Sequence, residues 1–91
     1  MTESPDPQAR IDGILADLFD GLPEDQAVYL AAVLANRSAT ELHKRVRAGA
    51  NERRGTESWG SWAGLQNAAR TLVLQSSTCR DGAATLVGRK R

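Results

Sequence analysis

The chain has 91 residues and a net charge of +1, a size that leaves room for one domain and excludes a barrel or a doubly wound sheet. Of its 37 apolar residues 14 are alanine, and Leu, Ile, Val and Phe together number only 18. A core so poor in large side chains is thin, and thin cores gain stability from a second chain.

The longest apolar run, Ala27 to Ala35, has nine residues, against about 20 for a bilayer span. The opening Met1-Thr2-Glu3-Ser4-Pro5-Asp6-Pro7 is acidic and lacks the positive region and apolar stretch of a secretory signal. A lone cysteine, Cys79, has no partner within the chain, which suits a reducing compartment. Cytoplasmic localisation, without membrane contact, is therefore expected. Charge is distributed very unevenly. Residues 1–25 carry seven acids against Arg10, a balance of −6, while residues 26–91 carry eleven bases against four acids, a balance of +7. The basic part is the one suited to a polyanion.

Alternating β-branched runs are missing, and alanine and leucine dominate the apolar set, so every element is expected to be helical. Residues 1–7 read as a disordered leader, 8–88 as a single helical domain and 89–91 as a basic tail. A first helix is expected over Gln8 to Asp20, where Ile11, Ile14, Leu15, Leu18 and Phe19 share one face. Gly21 ends it and Pro23 opens the next, with Glu24 and Asp25 complementing the helix dipole. The second helix is apolar nearly all round through Ala35, which suits a central position.

Its far end has two readings. Ser38-Ala39-Thr40-Glu41 has capping-box spacing, which with Asn36 as a stop gives a turn at Asn36-Arg37 and a new helix from Ala39 to Ala48. Alternatively one helix runs from Glu24 to about Arg54, along a heptad-like seam of Val28, Ala32, Ala35, Ala39, Leu42, Val46 and Gly49. Residues 49–60 contain three glycines and read as a loop. A last helix follows from about Ser61 towards Val87, with Trp62, Leu65, Ala69, Leu72, Ser76, Cys79, Ala83 and Leu86 in an a/d frame. Ser76-Ser77-Thr78 and Asp81-Gly82 are poor helix formers, so a bend or break is expected near Asp81-Gly82. Gly88 caps the end.

Residues suited to catalysis are few. Cys79, His43 and Asp81 are the one conceivable nucleophilic set, yet Cys79 falls on the apolar seam and His43 within a basic run, so no catalytic residue is assigned. No Cys/His pair has zinc spacing, and no metal or other cofactor is expected. By contrast Arg37, Lys44, Arg45, Arg47, Arg53 and Arg54 fall within 18 residues, opposed by Glu41 and Glu52. Such a cluster binds nucleic acid by releasing counterions; the competing account is a solvated face paired with the acidic first helix.

Leu22-Pro23-x-x-Gln26, Leu30, Val33-Leu34 and Ser38-x-x-Glu41-Leu42 resemble the start of the helix-turn-helix of sigma-factor region 4 and related regulators. The resemblance covers residues 22–42, and Arg47 to Gly60 departs from that family's compact glycine turn. It implies a reading helix over Ser61 to Arg70, with Gln66, Asn67 and Arg70 available to base edges or phosphates. Trp62-Ala63-Gly64 is similar to the Trp-x-Gly turn of the WXG100 family of small secreted helical hairpins. The basic second half and the absence of a Tyr-x-x-x-Asp/Glu tail depart from that family.

The expected molecule is thus an all-α bundle of three to five helices, completed by dimerisation, without enzymatic activity. It regulates by binding nucleic acid through Lys44, Arg45, Arg47, Arg53, Arg54, Gln66, Asn67 and Arg70. Trp59, Trp62, Leu65, Ala69 and Leu72 are expected at an interface with a second copy. The alternative is a hairpin that docks a partner protein through its acidic first helix or its tryptophans.

Overall fold

A computed structural model describes residues 6–88, which form three helices: α1 (Pro7–Phe19), α2 (Glu24–Glu52) and α3 (Trp59–Gly88). No strand occurs among them. Residues 1–5 of the expected leader and the basic tail 89–91 lie outside the described residues. Asp6 and Pro7, counted with the leader in the sequence reading, start α1. The Asp6 side chain accepts from the Gln8 backbone N–H at 3.4 Å, and Pro7 fills the first helical position, where its missing N–H costs nothing.

Gly21 ends α1 with φ of 74°, a left-handed conformation that costs glycine little. The Leu22 N–H donates back to the Phe19 carbonyl at 3.2 Å. Pro23 precedes α2, whose first turn carries Glu24 and Asp25 without a side-chain cap. From there α2 continues unbroken for 29 residues, so the turn at Asn36-Arg37 does not form. Ser38 is exposed in mid-helix, and the Asn36 carbonyl accepts from Thr40 Oγ1 at 2.9 Å. The heptad reading of this segment is the one that holds.

The connection between α2 and α3 is six residues, 53–58, rather than twelve. Gly55 takes φ of 81°, and Thr56 closes the turn by donating its N–H (3.0 Å) and hydroxyl (2.6 Å) to the Arg53 carbonyl. Helix α3 then continues unbroken through Asp81 and Gly82 to Gly88, so no break occurs there. Its poor helix formers fit because their hydroxyls turn back onto the helix. Ser76 Oγ donates to the Val73 carbonyl at 3.0 Å and Thr78 Oγ1 to the Leu74 carbonyl at 3.3 Å.

Helices α2 and α3 pack along their whole length as an antiparallel hairpin, whereas α1 buries no residue and packs closely on neither. The molecule measures 54 × 41 × 13 Å. A thickness of 13 Å is a single layer of helices, since two stacked layers need interaxial spacings of about 8–10 Å plus the helices themselves. Both broad faces of the hairpin therefore meet solvent. The chain exposes 7125 Å², where a compact monomer of its mass exposes about 5,200 Å².

Candidate nucleic-acid interface and self-association face

The seam between α2 and α3 is lined by small side chains. Ala32, Ala39, Val46 and Ala50 of α2 meet Ala69 and Ala83 of α3, each at most 5% exposed. Alanine at these positions lets the backbones approach closely, and dispersion between close backbones compensates for the lack of bulk.

At mid-seam the contact is polar. Asn36 Nδ2 donates to Ser76 Oγ at 3.0 Å and to the Val73 carbonyl at 3.4 Å, and Arg80 Nη1 donates to Asn36 Oδ1 at 2.8 Å. Asn36 and Ser76 are buried and no buried side-chain polar atom lacks a partner among the described residues. A satisfied polar group at one seam position fixes register, because any slip leaves it unpaired.

Near the turn a clasp holds the hairpin shut. The Trp62 ring lies directly on Gly49, so that a Cβ there would overlap the ring carbons. The Arg53 guanidinium sits 4.0 Å from the ring centroid and donates to the Gly49 carbonyl at 3.0 Å, a cation–π contact. Gly49, the last residue of the expected seam and the first of the expected loop, is the floor for the tryptophan.

Of the two heptad columns predicted on each helix the seam takes one and, Gly49 apart, leaves the other outside. Its own second row is Asn36, His43 and Ala50 against Gln66, Val73 and Arg80, buried or half-buried. On α3 the column of Trp62, Ala69, Ser76 and Ala83 faces α2, while Leu65, Leu72, Cys79 and Leu86 are all exposed. On α2, Ala32, Ala39 and Val46 face inward, while Val28, Ala35 and Leu42 are exposed. At about 100° per residue, and with the helices antiparallel, the two outer columns fall on the same broad face. Val28 and Leu86 accordingly line one concavity with Pro23, Glu24 and Asp25.

The opposite broad face is polar and basic over the turn-side half of α2. Thr40, His43, Lys44, Arg47, Ala48 and Asn51 line a groove along one flank of α2. The same helical period places Gln66 and Arg70 of α3 beside that flank, and Arg37 at its outer edge. The ion pairs among the described residues are Arg45–Glu41 (2.6 Å), Arg53–Glu52 (4.0 Å) and Arg80–Asp81 (3.6 Å). Lys44, Arg47, Arg70, Arg37 and Arg54 thus have no acidic partner there. The acids of α1 remain at the open end of the hairpin, where Phe19 lies by Ala27, Val28 and Ala31.

The residues singled out from sequence therefore separate. Lys44, Arg47, Gln66 and Arg70 come together on the basic face. Arg45 points to the other flank and is engaged by Glu41, and Arg53 belongs to the clasp. Arg54 is exposed in the turn, and Asn67 is exposed on the outer side of α3. Of the expected interface, Trp62 and Ala69 are taken up by the hairpin itself, while Trp59, Leu65 and Leu72 stay exposed. The arrangement implied by the sigma-factor resemblance is absent. That motif needs two short helices joined by a tight turn at a steep angle, whereas Gln66, Asn67 and Arg70 lie in a long helix antiparallel to α2.

His43 and Cys79 do not meet. The register set by Asn36 and Ser76 puts His43 level with Ala69, and the ten residues from there to Cys79 span about 15 Å of helix. No group of three His, Cys, Asp or Glu side chains converges among the described residues, and no helix there is long and apolar enough to cross a membrane.

The polar lock of Asn36, Ser76 and Arg80 escaped the sequence reading, as did the role of Gly49. One signal was available: Ser76 occupies a seam position in the α3 frame, and a polar residue there asks for a polar partner opposite. No protein-family model, curated protein or solved structure matches the chain.

Proposed function

We propose that the protein is a self-associating helical hairpin that binds nucleic acid through its basic face. The reading rests on one observation: Lys44, Arg47 and Arg70, with Arg37 at the edge, lie on one face with no carboxylate within ion-pairing distance among the described residues. An internally neutralised face would have left α1 folded over it. Recognition is of the phosphate backbone, since the face offers cations and few groups arranged to read base edges.

The test is fluorescence anisotropy with random-sequence duplex DNA and RNA at two salt concentrations. Four phosphate contacts give a slope near −3.6 in log–log form, a loss of about a hundredfold between 50 and 200 mM salt. Lys44→Ala and Arg47→Ala should each lower the slope by about one. Absence of binding at low salt overturns the proposal, as does binding that ignores both substitutions. Arg53 is a poor probe because its loss opens the clasp.

A second reading is favoured by the large apolar side chains that the hairpin leaves exposed; Trp62-Ala63-Gly64 itself lies inside α3, not in the turn that the resemblance to the WXG100 family implies. In that reading the exposed Trp59 and the outer leucines dock a partner protein. Trp59→Ala would then abolish function while the basic residues tolerate change.

A further inference from the structure

The outer apolar columns have a centre, and it is the same on both helices. On α3 the column from Leu65 to Leu86 is centred between Leu72 and Cys79. On α2 the column from Val28 to Leu42 is centred at Ala35, one residue from Asn36, whose side chain is bonded to Ser76. Both centres thus lie at one level of the hairpin, within about 2 Å along its axis.

Charge divides about the same level. Residues 37–75, the half that contains the turn, hold seven bases and three acids, or +4. Residues 6–36 and 76–88, the half at the open end, hold two bases and seven acids, or −5. Two copies stacked with their turns together would set like charge on like. Stacked with turns at opposite ends, each basic half lies over an acidic one.

We propose that this apolar face is occupied by a second copy of the chain in antiparallel orientation, forming a four-helix bundle in which Leu72 of one copy lies opposite Cys79 of the other. This deepens the self-association read above and rests on it. A two-fold axis through the common centre, in the plane of the interface and perpendicular to the helices, sets α3 on α3 and α2 on α2. Leu65 then meets Leu86 and Leu72 meets Cys79, all in reciprocal pairs. This is the only face-to-face orientation that buries both columns completely and also opposes unlike charge. The basic faces emerge on the two outer surfaces of the bundle, unobstructed.

The arrangement is tested by disulfide trapping between two single-thiol chains, the wild type with Cys79 and the variant Leu72→Cys/Cys79→Ser. Leu72 is exposed in the hairpin, so the variant keeps the seam intact. Alone, neither chain should link under copper phenanthroline, because like thiols lie one heptad apart along the axis, about 10.5 Å, beyond disulfide reach. The mixture should give a disulfide heterodimer. A Cys79–Cys79 link in the wild type overturns the arrangement, as does sedimentation as a dimer whose mixture stays unlinked. Sedimentation as a monomer overturns self-association itself. In either event the salt-dependent anisotropy remains a separate measure of the basic face. Raising salt should weaken the antiparallel dimer several-fold; a dimer that tightens with salt has its turns together and also overturns the proposal.

Discussion

Each long helix carries two apolar columns, and they are sorted by size in a way that runs against the usual order. Beyond Trp62 at the turn, the inner columns hold small residues, Ala32, Ala39 and Val46 against Ala69, Ser76 and Ala83, all 6% exposed or less. The outer columns hold the leucines, with Leu65, Leu72 and Leu86 each 45–47% exposed, and Ala35 and Cys79 among them. In an ordinary monomer the leucines are buried first, because each gains about 1.5–3 kcal/mol from leaving water. Here that gain has not been taken within the chain. Small side chains let α2 and α3 approach closely and turn the hairpin into a thin plate; the leucines are left for whatever lies on the plate.

If the columns differ in this way, they must fail differently. The largest effect is expected from Leu65→Ala/Leu72→Ala. The double variant should keep its helical content at high concentration yet lose association. Four truncated side chains per dimer, at about 1 kcal/mol each for half-exposed leucines, amount to roughly a thousandfold rise in Kd. Sedimentation equilibrium measures it. A variant that associates as before would show that the outer column is idle surface.

The inner column should respond through the hairpin itself. Gly49→Val drives two methyl groups into the space of the Trp62 ring, with backbone on one side and a clasped Arg53 on the other. Overpacking of that kind costs about 2–3 kcal/mol, read as a lowered urea midpoint. The Trp62 fluorescence should shift to longer wavelength as the ring is expelled. Smaller still is Asn36→Ala, which removes the donor to Ser76 Oγ, whose own hydroxyl still bonds the Val73 carbonyl, and frees one Arg80 donor. Arg80 is part-exposed and finds water, so about 1–2 kcal/mol is expected. A broadened unfolding transition should accompany it, since the register lock is gone while the alanine seam is not.

How far all this was legible follows from the kind of signal each residue sends. The heptad columns are visible in sequence because period is a property of the chain alone, and all-helical composition leaves no competing architecture. Which column faces inward is not visible. Periodicity gives Leu72 and Ala69 equal standing, and only the chance of close backbone approach decides for alanine. The boundaries were misread where a residue's local preference was outbid by a partner across the seam. Asn36 and Ser38 read as a stop and a cap, but Asn36 earns more from Ser76 and Arg80 than from ending a helix. Gly49 read both as the end of the seam and as the start of a loop, because a lone sequence does not show the tryptophan that needs its bare Cα. Asp81-Gly82 read as a bend or break, yet the helix does not break there: Ala83 behind them is packed and Arg80 before them is anchored, so the helix is held on both sides. The basic cluster was legible as composition but not as a face: the sequence lists Arg45 and Arg47 side by side, and the helix turns them to opposite flanks.

That last separation sets the smallest prediction, and it bears on where the basic face ends. Glu41 precedes Arg45 by four residues, the favourable order for an ion pair on a helix, and the two groups are 49% and 77% exposed. Glu41→Gln should cost only about 0.3–0.5 kcal/mol in thermal or urea unfolding, and the loss should vanish in 1 M salt. Its value lies in the binding assay. The substitution removes an acid and frees a guanidinium, so if Arg45 took part in nucleic-acid contact the salt slope would steepen by about one. Because Arg45 lies on the flank away from Lys44 and Arg47, the slope should stay where it is. An unchanged slope beside a measurable loss of stability confines the binding surface to the Lys44, Arg47 and Arg70 side of the plate, whereas a steeper one extends it around the edge of α2.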